Sequence, residues 1–211
     1  MIIMSERKER TITIRLTESD CKTLMIKCGE HGITINELFE NFAGDLAGGR
    51  YTNGSDERRA ASEWFDCCWF GMFPEKTLLN HLLNWDYDPE EYFELISELD
   101  TLVKETDYLN THPEEKEPGD IERLTEIITS LGEEIQSMSD GWTPEENMDL
   151  SEEIQKVADW IDEKNRFVNG SESPDNCREK LKEIDLTELF QILNYTAKEN
   201  DLEECYTLSA G

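Results

Sequence analysis

The chain has 211 residues, with Lys+Arg 20 against Asp+Glu 49, a net charge of -29, and 37% hydrophobic residues. A surplus of that size repels a phosphate backbone over most of the surface, because nucleic-acid affinity comes largely from Lys and Arg displacing counterions. No apolar run reaches membrane-spanning length and Met1 to Met4 is too short for a signal-peptide core, so a cytoplasmic protein without membrane contact is expected.

Residues 10 to 16 alternate strictly, with Ile12, Ile14 and Leu16 on one face and Thr11, Thr13 and Arg15 on the other, the period of a half-buried strand. A single strand leaves its backbone donors and acceptors unpaired. No second alternating segment of similar quality follows, so the same strand of another subunit is the expected partner. Thr17 with Asp20 three positions on marks the start of a helix, and Cys21, Leu24, Met25 and Cys28 recur along one of its faces. Gly29 and Gly32 end it. Thr34 with Glu37 forms a second capping box, opening a helix whose stripe is Ile35, Leu38, Phe39, Phe42 and Leu46.

Strand, helix, glycine-containing turn and capped helix, over residues 10 to 47, resemble the ribbon-helix-helix DNA-binding family. Its members form intertwined homodimers whose paired strands enter the major groove of double-stranded DNA. The resemblance implies that Thr11, Thr13 and Arg15, flanked by Arg10, read base edges, and that Thr34, Ile35 and Asn36 anchor a phosphate at a helix start. It also implies a dimer interface of Ile12, Ile14, Leu16, Leu38 and Phe42. The expected fold is therefore mainly α, a dimeric N-terminal ribbon-helix-helix of one strand and two helices followed by an acidic multi-helix body.

Charge divides unevenly. Residues 1 to 50 hold seven basic and eight acidic side chains, a net of -1, which leaves -28 for the remainder. Only the N-terminal segment is expected to touch DNA, and the acidic remainder suits a solvated surface or one that attracts a basic partner.

After Gly48-Gly49 a helix opens at Ser55 and runs toward Phe70. Trp64, Phe65, Cys67, Cys68, Trp69, Phe70, Met72 and Phe73 fall within ten residues, apolar on every side, which predicts burial in a core. Pro74 introduces a helix with Leu78, Leu79, Leu82 and Leu83, and Asp88-Pro-Glu-Glu introduces another with Tyr92, Phe93, Ile96, Leu99 and Val103. Residues 111 to 119 read as a polar, Pro-containing linker. Beyond it lie stripes of Ile121, Leu124, Ile127, Ile128, Leu131, Ile135 and Met138, then of Ile154, Val157, Ala158 and Ile161 after a Thr143-Pro-Glu-Glu cap. A last helix is expected from Asp185 through Leu189, Phe190, Leu193 and Tyr195. The implied divisions are residues 1–50 as a dimerisation and DNA-binding unit, 51–110 as an apolar-core helical segment, 111–119 as linker and 120–211 as an acidic helical domain of antiparallel hairpins with acidic outer faces.

No enzyme site is legible. His31, His81 and His112 form no metal-ligand pattern, neither GxGxxG nor GxxxxGK[ST] occurs, and the six cysteines contain no CxxC pair, so neither metal nor cofactor is expected and the thiols read as free and buried. Two functions remain, a DNA-binding regulator with an acidic interaction body and an acidic nucleic-acid mimic that captures a basic nucleic-acid-binding enzyme. In composition the whole is similar to acidic accessory and anti-defence proteins of mobile elements, of anti-CRISPR or anti-restriction type.

Overall fold

The computed structural model describes residues 8–48, 54–142, 149–169 and 176–193. Two compact units divide the chain at residues 1–75 and 76–211. Among the described residues the secondary structure is helical throughout, and no helix is long and apolar enough to cross a membrane.

In the first unit the expected strand is not formed. Residues 8–17 have no regular structure, and Ile12, Ile14 and Leu16 are 63%, 47% and 44% exposed. Alternation shows that a segment can pair, whereas pairing itself needs a second row of backbone donors and acceptors. The described part of this chain offers none, so the ribbon of the expected fold is absent. The two helices that follow are present. In α1 (Glu18–Glu30) the Thr17 hydroxyl accepts from Asp20 N at 3.2 Å while the Asp20 carboxylate accepts from Thr17 N at 3.3 Å. Gly32, at φ +66°, closes the helix: Ile33 N donates to Cys28 O and Gly32 N to Gly29 O, a doubly bonded stop that needs a left-handed residue. In α2 (Ile35–Leu46) the same reciprocal cap joins Thr34 and Glu37. Next come α3 (Ser55–Cys67) and the single-turn α4 (Trp69–Met72). Each helix of this unit packs on the next in sequence.

The second unit contains α5 (Leu78–Asn84), α6 (Pro89–Thr111), α7 (Asp120–Ser139), α8 (Leu150–Asn169), α9 (Cys177–Leu181) and a final described helical turn pair at 186–193. Asp88 caps α6 through Glu90 N, with Pro89 at the first helical position. Residues 112–119, including the 3₁₀ turn Pro113–Glu115, join α6 to α7. That short connection makes the pair antiparallel, and the Tyr87 hydroxyl donates to Ser137 O where the start of α6 meets the end of α7. Tyr92, Ile96, Leu99 and Val103 recur at three and four residues along α6 and are buried against Ile135 and Met138 of α7 and Ile154, Val157, Ala158 and Ile161 of α8. Leu78 and Leu82 of α5 close one side of this core, Leu181 and Leu189 another. Each fully buried Leu or Ile contributes about 1.5–3 kcal/mol relative to exposure. The Thr143-Pro-Glu-Glu cap and Tyr195 lie outside the described residues. Asp185 accepts from Thr187 N and Glu188 N at the start of the last helix, as its position in the sequence implies.

Candidate functional site

Thr11, Thr13 and Arg15 are exposed, and Arg10 is half-buried with its guanidinium donating to Glu9 O at 2.9 Å. Thr34 and Asn36 are exposed and Ile35 half-buried at the α2 N-terminus. The free amides of that terminus are an anion site only where no side chain has taken them. Here Glu37 Oε2 accepts from Thr34 N at 2.7 Å and from the Thr34 hydroxyl at 2.8 Å, while Glu37 N donates to Thr34 Oγ1 at 3.1 Å. Those Thr34 donors hold the Glu37 carboxyl below its ordinary value of 4.5, so it is ionised at neutral pH. A carboxylate already occupies part of the proposed phosphate anchor and adds like charge beside the rest. Leu38 is half-buried and Phe42 remains 37% exposed.

Residues 64–73 depart from their expected burial. Trp64, Phe65, Trp69, Phe70, Met72 and Phe73 are all exposed, Trp69 at 76%. Being apolar all round makes a segment fit for a core, but the first unit is too thin to surround it. Among its described apolar residues only Cys28 and Ala61 are buried, against sixteen in the second unit. The rings instead support one another. Trp64 meets Phe42 edge-on at 5.1 Å between centroids and Phe70 at 6.3 Å, Phe65 meets Phe70 at 5.1 Å, and Trp69 lies tilted on Phe73 at 4.6 Å. Gly71 makes the α3–α4 joint possible, because a Cβ there would sit 2.2 Å from Phe65 O. The described cysteines are all free, as expected, but Cys21 and Cys67 are exposed rather than buried.

The second unit holds eleven basic and thirty-six acidic residues, a net of -25, against nine and thirteen, a net of -4, in the first. Five of its cations pair with its own carboxylates: Lys104 with Asp100, Lys156 with Glu153, Lys164 with Glu90, Arg178 with Asp159 and Lys182 with Glu179. Long helices with one buried stripe then leave rows of acid outside. On α6 Glu91, Glu94, Glu98 and Glu105 share one exposed face at helical spacing, and on α7 Glu122, Glu126 and Glu133 do the same. Three other carboxylates point inward. Glu153 is fully buried and accepts from Leu78 N at 2.7 Å and from Lys156 at 2.6 Å. Asp162 accepts from Cys177 N and Arg178 N, both at 3.0 Å, and Asp100 from Asp185 N at 3.1 Å and Lys104 at 2.7 Å. They bind the starts of α5, α9 and the last helix to α8 and α6. Their sequence signal is register: position 153 lies four before Val157, 162 four after Ala158, and 100 four after Ile96, each on an apolar stripe.

An open notch beside Asp159, Asp162, Glu163, Arg166 and Arg178 is polar, and the Arg178 guanidinium there is matched at two points by Asp159, at 2.8 and 3.0 Å. Among the described residues no three His, Cys, Asp or Glu side chains converge on a common point suited to a metal ion. The surfaces on offer are therefore an exposed N-terminal segment, a run of rings and rows of carboxylate. No protein-family model, no curated protein and no solved structure matches the chain.

Proposed function

We propose that the chain is a non-enzymatic binding protein whose acidic helical unit captures a basic, nucleic-acid-binding protein. The observation that carries this reading is the exposed carboxylate row Glu91, Glu94, Glu98 and Glu105 on a 23-residue helix, in a unit of eleven basic and thirty-six acidic residues. A fixed row of negative charge raises the encounter rate with a basic groove and competes with the phosphates that groove normally holds. The test is retention of basic proteins from a bacterial lysate on immobilised full-length chain, followed by elution with duplex DNA. Retained protein that duplex DNA displaces supports the reading. Replacing Glu91, Glu94, Glu98 and Glu105 by Gln should lower retention at least tenfold. Retention that is indifferent both to those changes and to added salt would reject it, since exposed charge attraction is screened within about 8 Å at physiological ionic strength.

A DNA-binding regulator is the second reading. Exposure of Thr11, Thr13 and Arg15 on backbone with no regular structure favours it, while the occupied cap at Thr34 and the acidic side chains Glu37 and Glu40 of α2 oppose it. In a gel shift on duplex DNA, Arg15→Ala should cost about 1–3 kcal/mol if Arg15 reads a base edge. Binding that is unchanged in that variant removes the second reading.

A further inference from the structure

We infer that a second copy of this chain covers the aromatic face built by Phe42, Trp64, Phe65, Trp69, Phe70 and Phe73. This face lies outside the acidic surface and is independent of the capture reading.

Twelve of the eighteen exposed large apolar residues among those described belong to the first unit, whose buried apolar residues are only Cys28 and Ala61. A unit of this size ordinarily buries about 60% of the surface its chain exposes when unfolded. This one leaves its largest side chains in water. Taking about 200 Å² per aromatic side chain, the exposed fractions amount to roughly 360 Å² for the linked rings Phe42, Trp64, Phe65 and Phe70 and roughly 260 Å² for the pair Trp69 and Phe73 next to them in sequence. A standard interface buries about 800 Å² per partner, a little over half of it apolar. The face therefore supplies the apolar area a stable dimer needs.

Charge decides what lies across it. Between residues 64 and 73 the sole ionisable side chains besides the two thiols are those of Asp66, and no Lys or Arg interleaves with the rings. Stacked nucleic-acid bases, which need cations beside the aromatics, find none here. A strongly charged protein partner has little to recognise. Two copies can meet at this face because residues 1–75 carry -4, whereas contact through residues 76–211 would set -25 against -25. Phe42, Trp64, Phe65 and Phe70 are also held in advance by edge-to-face contacts at 5.1 Å, and Trp69 and Phe73 by each other at 4.6 Å, so little side-chain freedom is lost on association. A two-fold contact, with the same patch used on both copies, closes the assembly at two.

Sedimentation velocity on the full-length chain at about 20 μM should return twice the 24.5 kDa of one chain. Trp69→Glu combined with Phe73→Glu should weaken association at least a hundredfold while far-UV helicity is kept. Raising salt from 0.1 to 1 M should leave the wild-type dimer intact or tighten it, the opposite of the response expected for acidic capture. Amide exchange across residues 62–73 of the wild type should slow as concentration rises, a reading that does not depend on how the variant folds. A wild-type chain of single mass, a double variant that stays dimeric with its helicity intact, or exchange at 62–73 indifferent to concentration would each overturn the inference.

Discussion

Glu153 is fully buried in a protein whose other acidic residues are mostly solvated, and what it holds is the first amide of α5. Removing the carboxylate strands Leu78 N without a partner in the core, so Glu153→Ala should destabilise the second unit by about 2–3 kcal/mol in urea unfolding. Glu153→Gln keeps an acceptor and should cost clearly less. Cys177 makes a second residue-scale case. Burial, and then the neighbouring Asp162 carboxylate, push its thiol up to about 11, so it stays protonated at neutral pH. At pH 7.5 iodoacetamide should modify Cys21 and Cys67 well before Cys177 and the buried Cys28, read by peptide mass mapping. Thiol exposure follows from packing, and nothing in cysteine spacing could have separated these residues.

The Thr34–Glu37 cap defines the pH response of α2. Because Glu37 titrates below its ordinary value in the folded chain, the folded state binds fewer protons than the unfolded one near pH 4. The cap is therefore at full strength above the ordinary carboxylate value of 4.5 and is lost as pH falls through the lower folded value. Amide protection at the first turn of α2, taken relative to the intrinsic exchange rate at each pH, should fall as pH drops below 4.5, and Glu37→Gln should abolish that fall. Both capping boxes were legible because each needs only residues three apart. So were the stripes of α6, α7 and α8, where periodicity and burial coincide except at Ile127 of α7, which is 39% exposed. The strand at 10–16 and the buried helix at 64–73 were misread for one reason: alternation and apolarity state what a segment can pair with, and the partner surface lies elsewhere in space. Gly71 carried no sequence signal at all, yet Gly71→Ala would drive a Cβ into Phe65 O and displace α4. That variant should disturb the ring cluster without altering one exposed side chain, and its dimer mass should fall as that of Trp69→Glu with Phe73→Glu does.

For the whole molecule, the split between 1–75 and 76–211 is a split in kind of stability as well as charge. The second unit has sixteen buried apolar side chains and three inward carboxylates joining its elements. The first depends on what covers it. Equilibrium unfolding of the full chain should then show two transitions, the earlier moving to higher urea as protein concentration rises and the later fixed, because a contact between copies stabilises by mass action. A single transition independent of concentration would contradict that division. The placement of the indoles also makes the chain a reporter on itself. Trp64, Trp69 and Trp85 are the well-exposed tryptophans, and two of them stand on the ring face. If those two leave water while Trp85 remains in it, emission moves to the blue on concentration by an amount that Trp69→Phe should roughly halve. Assembly could then be followed by its own ultraviolet light, with no label attached to any surface that assembly needs.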